Sequence, residues 1–272
     1  MTARVLVVAG SDSGAGAGIQ ADLKTVMALG GYATTAITAL TAQATMGVQA
    51  VVPVEPEFVA RQMEVVLADI GADVIKTGML YDADIVETVV RVHERRAASV
   101  PLVVDPVMIA KGGARLLGSA AIHALKRRLI PRAALLTPNL PECQVLTGMS
   151  VDSVDAMSPA ADALLALGAA AVLIKGGHLP GDEIIDLLRT ADGDEQLFVN
   201  SRLPVRSTHG TGCTLASAIA TGIAEGLTLR DAVSRAETYL HRAIEWAPGL
   251  GRGSGPLEHA HPFRAGPATE LS

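Results

Sequence analysis

Short apolar runs rich in valine and isoleucine recur along the chain, at Arg4 to Ala9, Asp73 to Lys76, Leu102 to Asp105, Ala134 to Thr137 and Ala171 to Lys175. Most of them end in Gly, Asp, Thr or Asn. Runs that are apolar at nearly every position, not at alternate ones, predict strands buried on both faces. The intervening segments are longer and repeat at helical spacing, as in Val59, Met63, Val66, Leu67 and Ile70, or in Leu164, Leu165 and Leu167 before the run at 171. Such alternation predicts an α/β fold of three αβα layers, with a mainly parallel central sheet covered by helices on both faces.

Ile184 to Leu203 breaks the alternation: IIDLL, a turn around Asp192 to Asp194, and LFVN predict an antiparallel hairpin appended to the sheet. Two helices are expected after it, from about Gly212 to Glu225 and from Leu229 to Trp246. Residues 1–265 are expected to form a single domain. The tail after Pro248 is rich in Gly, Pro and Ala, so residues 266–272 are expected to be disordered.

Composition narrows the class. With 272 residues, 49% of them hydrophobic, the chain can bury about three quarters of its unfolded surface. A net charge of -6 and a pI of 5.6 argue against a nucleic-acid partner, which selects a basic patch, so any anionic ligand must be gripped locally. The opening MTARVLVVAG is too short an apolar run for a signal peptide or a membrane span. The two cysteines, Cys143 and Cys213, form neither a CxxC pair nor a zinc spacing, which fits a reducing, cytoplasmic setting.

In open parallel sheets ligands gather at the carboxyl ends of the strands. The polar residues that follow the apolar runs are Gly10 to Asp12, Thr77 to Met79, Asp105 to Met108, Thr137 to Asn139 and Lys175 to Gly177, a set suited to phosphate and magnesium chemistry. The segment THGTGCT, 208 to 214, then opens a helix. Amides at a helix start lack intrahelical partners and the dipole adds positive charge, so Gly210, Thr211 and Gly212 are candidates for an anion hole. Cys213, in that first turn, is a candidate base with a lowered thiol pKa, although a free cysteine is as often simply buried.

Other motifs are less specific. The cluster GSDSGAGAGIQAD at 10 to 22 suggests a dinucleotide loop, but residues 33 to 49 contain no acid to hold a ribose, and no glycine precedes a lysine as a Walker A loop requires. In TPNLPE, Asn139 and Glu142 are one helical turn apart, fit either to hold magnesium and its waters or to close a capping box. The histidines show no HExxH pattern; His178 and His209 flank the predicted rim.

Taken in order, AGSDSGAGAGIQADLKT, ALTAQATMGV, KTGML, VVDPVM, TPNLPE, LIKGGH and THGTGCT resemble the hydroxymethylpyrimidine/phosphomethylpyrimidine kinases of thiamine biosynthesis, over about residues 4 to 263. The resemblance implies a ribokinase-like fold and two successive transfers from MgATP. The first goes to the hydroxymethyl oxygen of 4-amino-5-hydroxymethyl-2-methylpyrimidine and the second to the resulting monophosphate. It also implies roles: Cys213 with Gly210, Thr211 and Gly212 for catalysis; Gln43, Asp22, Gly10, Met79 and Val107 for the pyrimidine. Lys175, Gly177, Thr208 and Asn139 fall to ATP, and Asp105 with Glu142 to magnesium. Ala15, Ala44 and the pair Lys111 and Gly112 depart from the family pattern, and Ala44 bears on the shape of the pyrimidine pocket. Rival readings are a pyridoxal kinase on the same scaffold and a non-catalytic pyrimidine sensor. A homo-oligomer is expected, with a dimer favoured.

Overall fold

A computed structural model describes residues 2–108, 117–205 and 207–264. Lys111, Gly112 and the tail 266–272 fall outside them. Among the described residues nine strands form one sheet: β1 (Arg4–Asp12), β2 (Tyr32–Ala44), β3 (Gly47–Pro53), β4 (Val74–Thr77), β5 (Leu102–Val104), β6 (Leu135–Leu136), β7 (Ala171–Ile174), β8 (Glu183–Thr190) and β9 (Glu195–Ser201). Their order is β3-β2-β1-β4-β5-β6-β7-β8-β9. The six strands from β2 to β7 in that order pair in parallel, while β3 at one edge and β8 and β9 at the other are antiparallel.

The parallel strands are apolar throughout because each of their faces meets a helical layer. Leu6, Val8, Ile75, Leu102 and Val104 point to one side, where they pack with α2 (Pro56–Asp69), α3 (Ala83–Arg96), α4 (Ser119–Ala124), α5 (Leu140–Thr147) and α6 (Met157–Leu165). Val5, Val7, Val74 and Val103, their neighbours in sequence, point to the other side, against α1 (Gly18–Ala28), α7 (Thr211–Ala224) and α8 (Leu229–Glu245). Each such wholly buried aliphatic side chain contributes about 1.5–3 kcal/mol over its exposed state.

Helix α7 is buried from Thr214 to Gly222 and built of small residues, so it lies close to its neighbours. A Cβ added at Gly222 would sit 2.8 Å from the Ala232 Cβ of α8. The hairpin expected at 184–203 is present as β8 and β9. The pair β2–β3 was not foreseen as such: its alanines and threonines form no branched apolar run, and its outer strand is half exposed.

Candidate active site

Strand β1 runs directly into a loop wound around one carboxylate. Asp12 Oδ1 accepts from the Gly14 amide at 2.8 Å, and Oδ2 from the amides of Gly16 at 3.1 Å and Ala17 at 2.9 Å. His209 Nε2 lies 2.9 Å from the same Oδ2. Burial alone would raise the Asp12 pKa, but His209 and the amides together hold it below its ordinary value.

That loop interlocks with the start of α7. Gly210 sits at φ +85°, and a Cβ there would lie 1.9 Å from the Gly16 carbonyl oxygen, so only glycine fits. A Cβ at Gly16 would in turn come within 2.4 Å of His209 Cδ2. The first helical bond of α7 runs from the Thr214 amide to the Gly210 carbonyl, 2.9 Å. The amides of Thr211, Gly212 and Cys213 precede it, at the helix start where the sequence places a candidate anion hole.

Across from these amides, at the ends of β5 and β7, Lys175 Nζ donates to Asp105 Oδ1 at 2.9 Å and the Thr137 hydroxyl donates to the same oxygen at 3.2 Å. A Cβ added at Gly212 would lie 3.2 Å from Lys175 Nζ and 3.6 Å from Asp105 Oδ2, so the glycine leaves room for a phosphoryl oxygen beside the ion pair. Burial works to lower the Lys175 pKa, but Asp105 and Glu142 outweigh it and keep the ammonium charged.

The two readings of TPNLPE prove compatible. Asn139 Oδ1 accepts from the Glu142 amide at 2.9 Å and Glu142 Oε2 accepts from the Asn139 amide at 2.8 Å, which is a complete capping box. The Glu142 carboxyl still faces the cavity, and burial, with Asp105 nearby, pushes its pKa up to about 7 despite Lys175. Among the described residues no group of three or more His, Cys, Asp or Glu is placed to hold a metal by itself. Two carboxylates beside a phosphate cradle nevertheless suit magnesium, which keeps several waters and takes its other ligands from nucleotide phosphates.

Two cavities adjoin here. The first, of about 310 Å³, is lined by Gly10, Gln43, Met79, Val107, Asp105, Glu142 and Cys213 together with the anion-hole residues. The second, of about 340 Å³, is lined by Gly177, Ile184, Asp186, Asn200, Glu237 and Leu240 among others. Asn139, Lys175, His178, Thr208, Thr211 and Gly212 line both. A larger groove, about 820 Å³, follows the outside of α8, but Arg235 and Arg264 within it are paired to Glu225 and Glu258, and it holds none of the glycine cradle.

Two expectations need correction. Asp22 lines neither cavity: it is wholly buried, with Oδ1 accepting from Lys76 Nζ at 2.8 Å and from the Ser217 hydroxyl at 2.7 Å. Burial pushes Asp22 up and would push Lys76 down, but attraction to Asp22 and Asp105 holds Lys76 above its ordinary value. Cys213 does lie in the first turn and keeps part of its surface open to the cavity, yet its thiol is not acidified. Burial pushes it up to about 12, Lys76 opposes this, and Asp22 and Asp105 reinforce it.

Sequence reasoning missed two features. One is Lys76, whose only signal was a lysine inside an otherwise apolar strand. The other is a carboxyl pair in the second cavity: Asp186 Oδ1 accepts from the Gly176 amide at 2.8 Å, and Glu237 Oε2 from Asn200 Nδ2 at 3.0 Å. Burial raises both acids, and for Glu237 the neighbouring Asp186 adds to the rise, so each holds a proton more tightly than an exposed carboxyl group.

Comparison with known proteins gives a consistent picture. A family model described as phosphomethylpyrimidine kinase matches residues 12–258. The thiamine biosynthesis bifunctional protein of Geobacter sulfurreducens is 52% identical over 256 residues, covering 94% of this chain but only 52% of that protein, so the chain spans about half its length. The hydroxymethylpyrimidine/phosphomethylpyrimidine kinase of Streptomyces coelicolor is 49% identical over 94% of this chain and 93% of its own. Among solved structures, the ADP complex of Bacillus subtilis pyridoxal kinase superposes with a TM-score of 0.88 at 33% identity, covering 96% of this chain and 98% of that one.

Proposed function

This chain belongs to the phosphomethylpyrimidine kinase family and is a kinase, and on that premise we propose how its two cavities divide the reaction. The first takes 4-amino-5-hydroxymethyl-2-methylpyrimidine or its monophosphate, the second takes ATP, and the γ-phosphoryl group crosses the seam between them. The observation that carries this reading is that Lys175, Thr211 and Gly212 line both cavities, at the start of α7. Gln43 recognises the ring edge, and Met79 and Val107, over Gly10, supply its apolar walls. Thr208, Asn139 and Gly177 flank the nucleotide, with Lys175 on its phosphates.

In the first transfer the hydroxymethyl oxygen bonds to the γ-phosphorus while the bond from that phosphorus to the β,γ-bridging oxygen breaks, and ADP leaves with the electron pair. The amides of Thr211 to Cys213 hold the equatorial oxygens as charge spreads over them. Asp105 and Glu142 would hold magnesium through its waters, and magnesium when bound neutralises charge on the ATP oxygens. With its thiol protonated at rest, Cys213 orients the alcohol through its sulfur. The alcohol proton passes to a phosphoryl oxygen as the new bond forms. In the second transfer the nucleophile is already anionic, so the cradle and Lys175 suffice.

Pyridoxal also carries a hydroxymethyl group, and the likeness to pyridoxal kinase favours it as a second reading on the scaffold alone. Among the described residues no helix is long and apolar enough to cross a membrane. We place the enzyme in the cytoplasm, where its ATP and reduced thiols are found, and as a homodimer, which exposed Leu40, Met46 and Val52 on the β2–β3 edge support. Calorimetric titration tests the division of the site. Gln43→Ala is expected to weaken the pyrimidine and spare ATP, and Lys175→Met the reverse; the same loss for both ligands in both variants would overturn it.

A further inference from the structure

One ring nitrogen in the site faces two groups. His209 Nε2 lies 2.9 Å from Asp12 Oδ2 and 3.0 Å from the amide end of Gln43 placed as Nε2. Asp12 is a carboxylate already accepting from three backbone amides, and it has nothing to donate. The shared nitrogen must therefore carry the proton. A nitrogen that donates cannot also accept from an amide N–H, so Gln43 must turn its oxygen to His209, where it shares the single ring hydrogen with Asp12 in a three-centre bond. The two ends of a primary amide have the same shape, and the surrounding hydrogen bonds decide between them.

The other end of Gln43 reaches the same answer independently. The Thr41 hydroxyl lies 3.0 Å from the Ser11 carbonyl oxygen and 3.3 Å from Gln43. Its single hydrogen goes to Ser11, so Thr41 can only accept from Gln43, which requires the amide nitrogen on that side. With both bonds made, the amide retains one N–H and one oxygen lone pair. That remainder matches a ring edge with an amino group next to an unprotonated ring nitrogen.

We propose that His209 is a positioning residue for substrate recognition: pinned by Asp12, it fixes the Gln43 amide so that the cavity offers one donor and one acceptor to an aminopyrimidine edge. The proposal rests on the reading that Gln43 faces the pyrimidine. The geometry supplies the stiffness it needs. His209 is buried, its amide donates to the Gly255 carbonyl at 3.1 Å, and its ring fits only because Gly16 has no Cβ. It also precedes Gly210, so the device that reads the ring shares a backbone segment with the phosphate cradle.

The test is steady-state kinetics on the full chain with the hydroxymethylpyrimidine and ATP, comparing His209→Leu, His209→Gln, Gln43→Ala and the His209→Leu/Gln43→Ala double variant. Removing the ring N–H is expected to raise the pyrimidine KM about tenfold and leave the ATP KM within about twofold. Glutamine, which returns a donor near the Nε2 position, should recover most of the loss. The double variant should be no worse than Gln43→Ala alone. Additive losses, or equal rises in both KM values, would overturn the proposal. Should Gln43→Ala leave the pyrimidine KM unchanged, the pocket reading itself fails and the proposal with it; a loss there without one in His209→Leu sinks only the role of His209. Nitrogen-15 NMR of the wild-type histidine ring gives a check that needs no variant: a proton on Nε2 is expected, and a ring protonated only on Nδ1 contradicts the assignment.

Discussion

Lys175 Nζ donates to Asp105 Oδ1 at 2.9 Å beside the point where a Cβ on Gly212 would fall, 3.2 Å from the same ammonium. Gly212 lies in the first turn of α7, where alanine favours the helix by up to about 1 kcal/mol. The added methyl group would, however, occupy the space left for a phosphoryl oxygen. Gly212→Ala is therefore expected to keep or raise the melting temperature while lowering kcat by about 10²-fold or more, the scale of losing a group that stabilises the transition state. Full activity in that variant would place the phosphate elsewhere.

The buried Lys76–Asp22 pair makes a prediction about stability. Either partner alone would be a charge without water or counter-ion, so Lys76→Met or Asp22→Leu is expected to lose about 3–5 kcal/mol in urea unfolding. The double variant, with neither charge, should lie closer to wild type than either single one. Losses that simply add would mean that the two do not act as a pair.

Asp186 and Glu237 predict how stability responds to pH. Both carboxyl groups are raised in the folded protein. Above the ordinary carboxylate range the folded chain therefore holds protons that the unfolded chain has lost, and stability falls as pH rises. Glu237→Gln imitates the protonated acid and still accepts from Asn200. Its melting temperature relative to wild type should rise between pH 5 and pH 8; a constant difference would show that Glu237 is not raised. Comparison with wild type at each pH cancels Glu142, which acts in the same direction, and His259, whose pKa burial lowers to about 4 and which acts oppositely below pH 6.5.

Both cysteines are expected to be slow nucleophiles, because burial pushes Cys213 and Cys143 alike up to about 12. Against a free thiol, alkylation by iodoacetamide at pH 8 should be slower by about 10³-fold. If the sulfur of Cys213 only orients an alcohol, Cys213→Ala should slow the first transfer about tenfold more than the second in single-turnover assays. Equal slowing of both steps would contradict that division, and rapid alkylation would contradict the protonated thiol.

What could be read from the sequence depended on the range of the forces involved. Runs such as VVD at 103–105 and AVLIK at 171–175 carry their burial in their own composition, so the parallel core and the rim at its carboxyl ends were legible. The β2 strand hides in alanine and threonine, and its place is set by pairing with β1. The start of α7 at Thr211 is a local property and was legible in the glycines around it, whereas the electrostatics of Cys213 depend on Asp22, Lys76 and Asp105, which come from three other elements. Asp12 and His209 are separated by 197 positions, and no spacing rule connects them.

The most direct test incubates the full chain with MgATP and 4-amino-5-hydroxymethyl-2-methylpyrimidine and follows products by mass spectrometry. The monophosphate should appear first and the diphosphate after it, with one ADP formed for each phosphoryl group transferred. Gly210→Ala, whose Cβ would lie 1.9 Å from the Gly16 carbonyl oxygen, should form neither. ATP hydrolysis without phosphorylated pyrimidine, or phosphorylation of pyridoxal alone, would contradict the account.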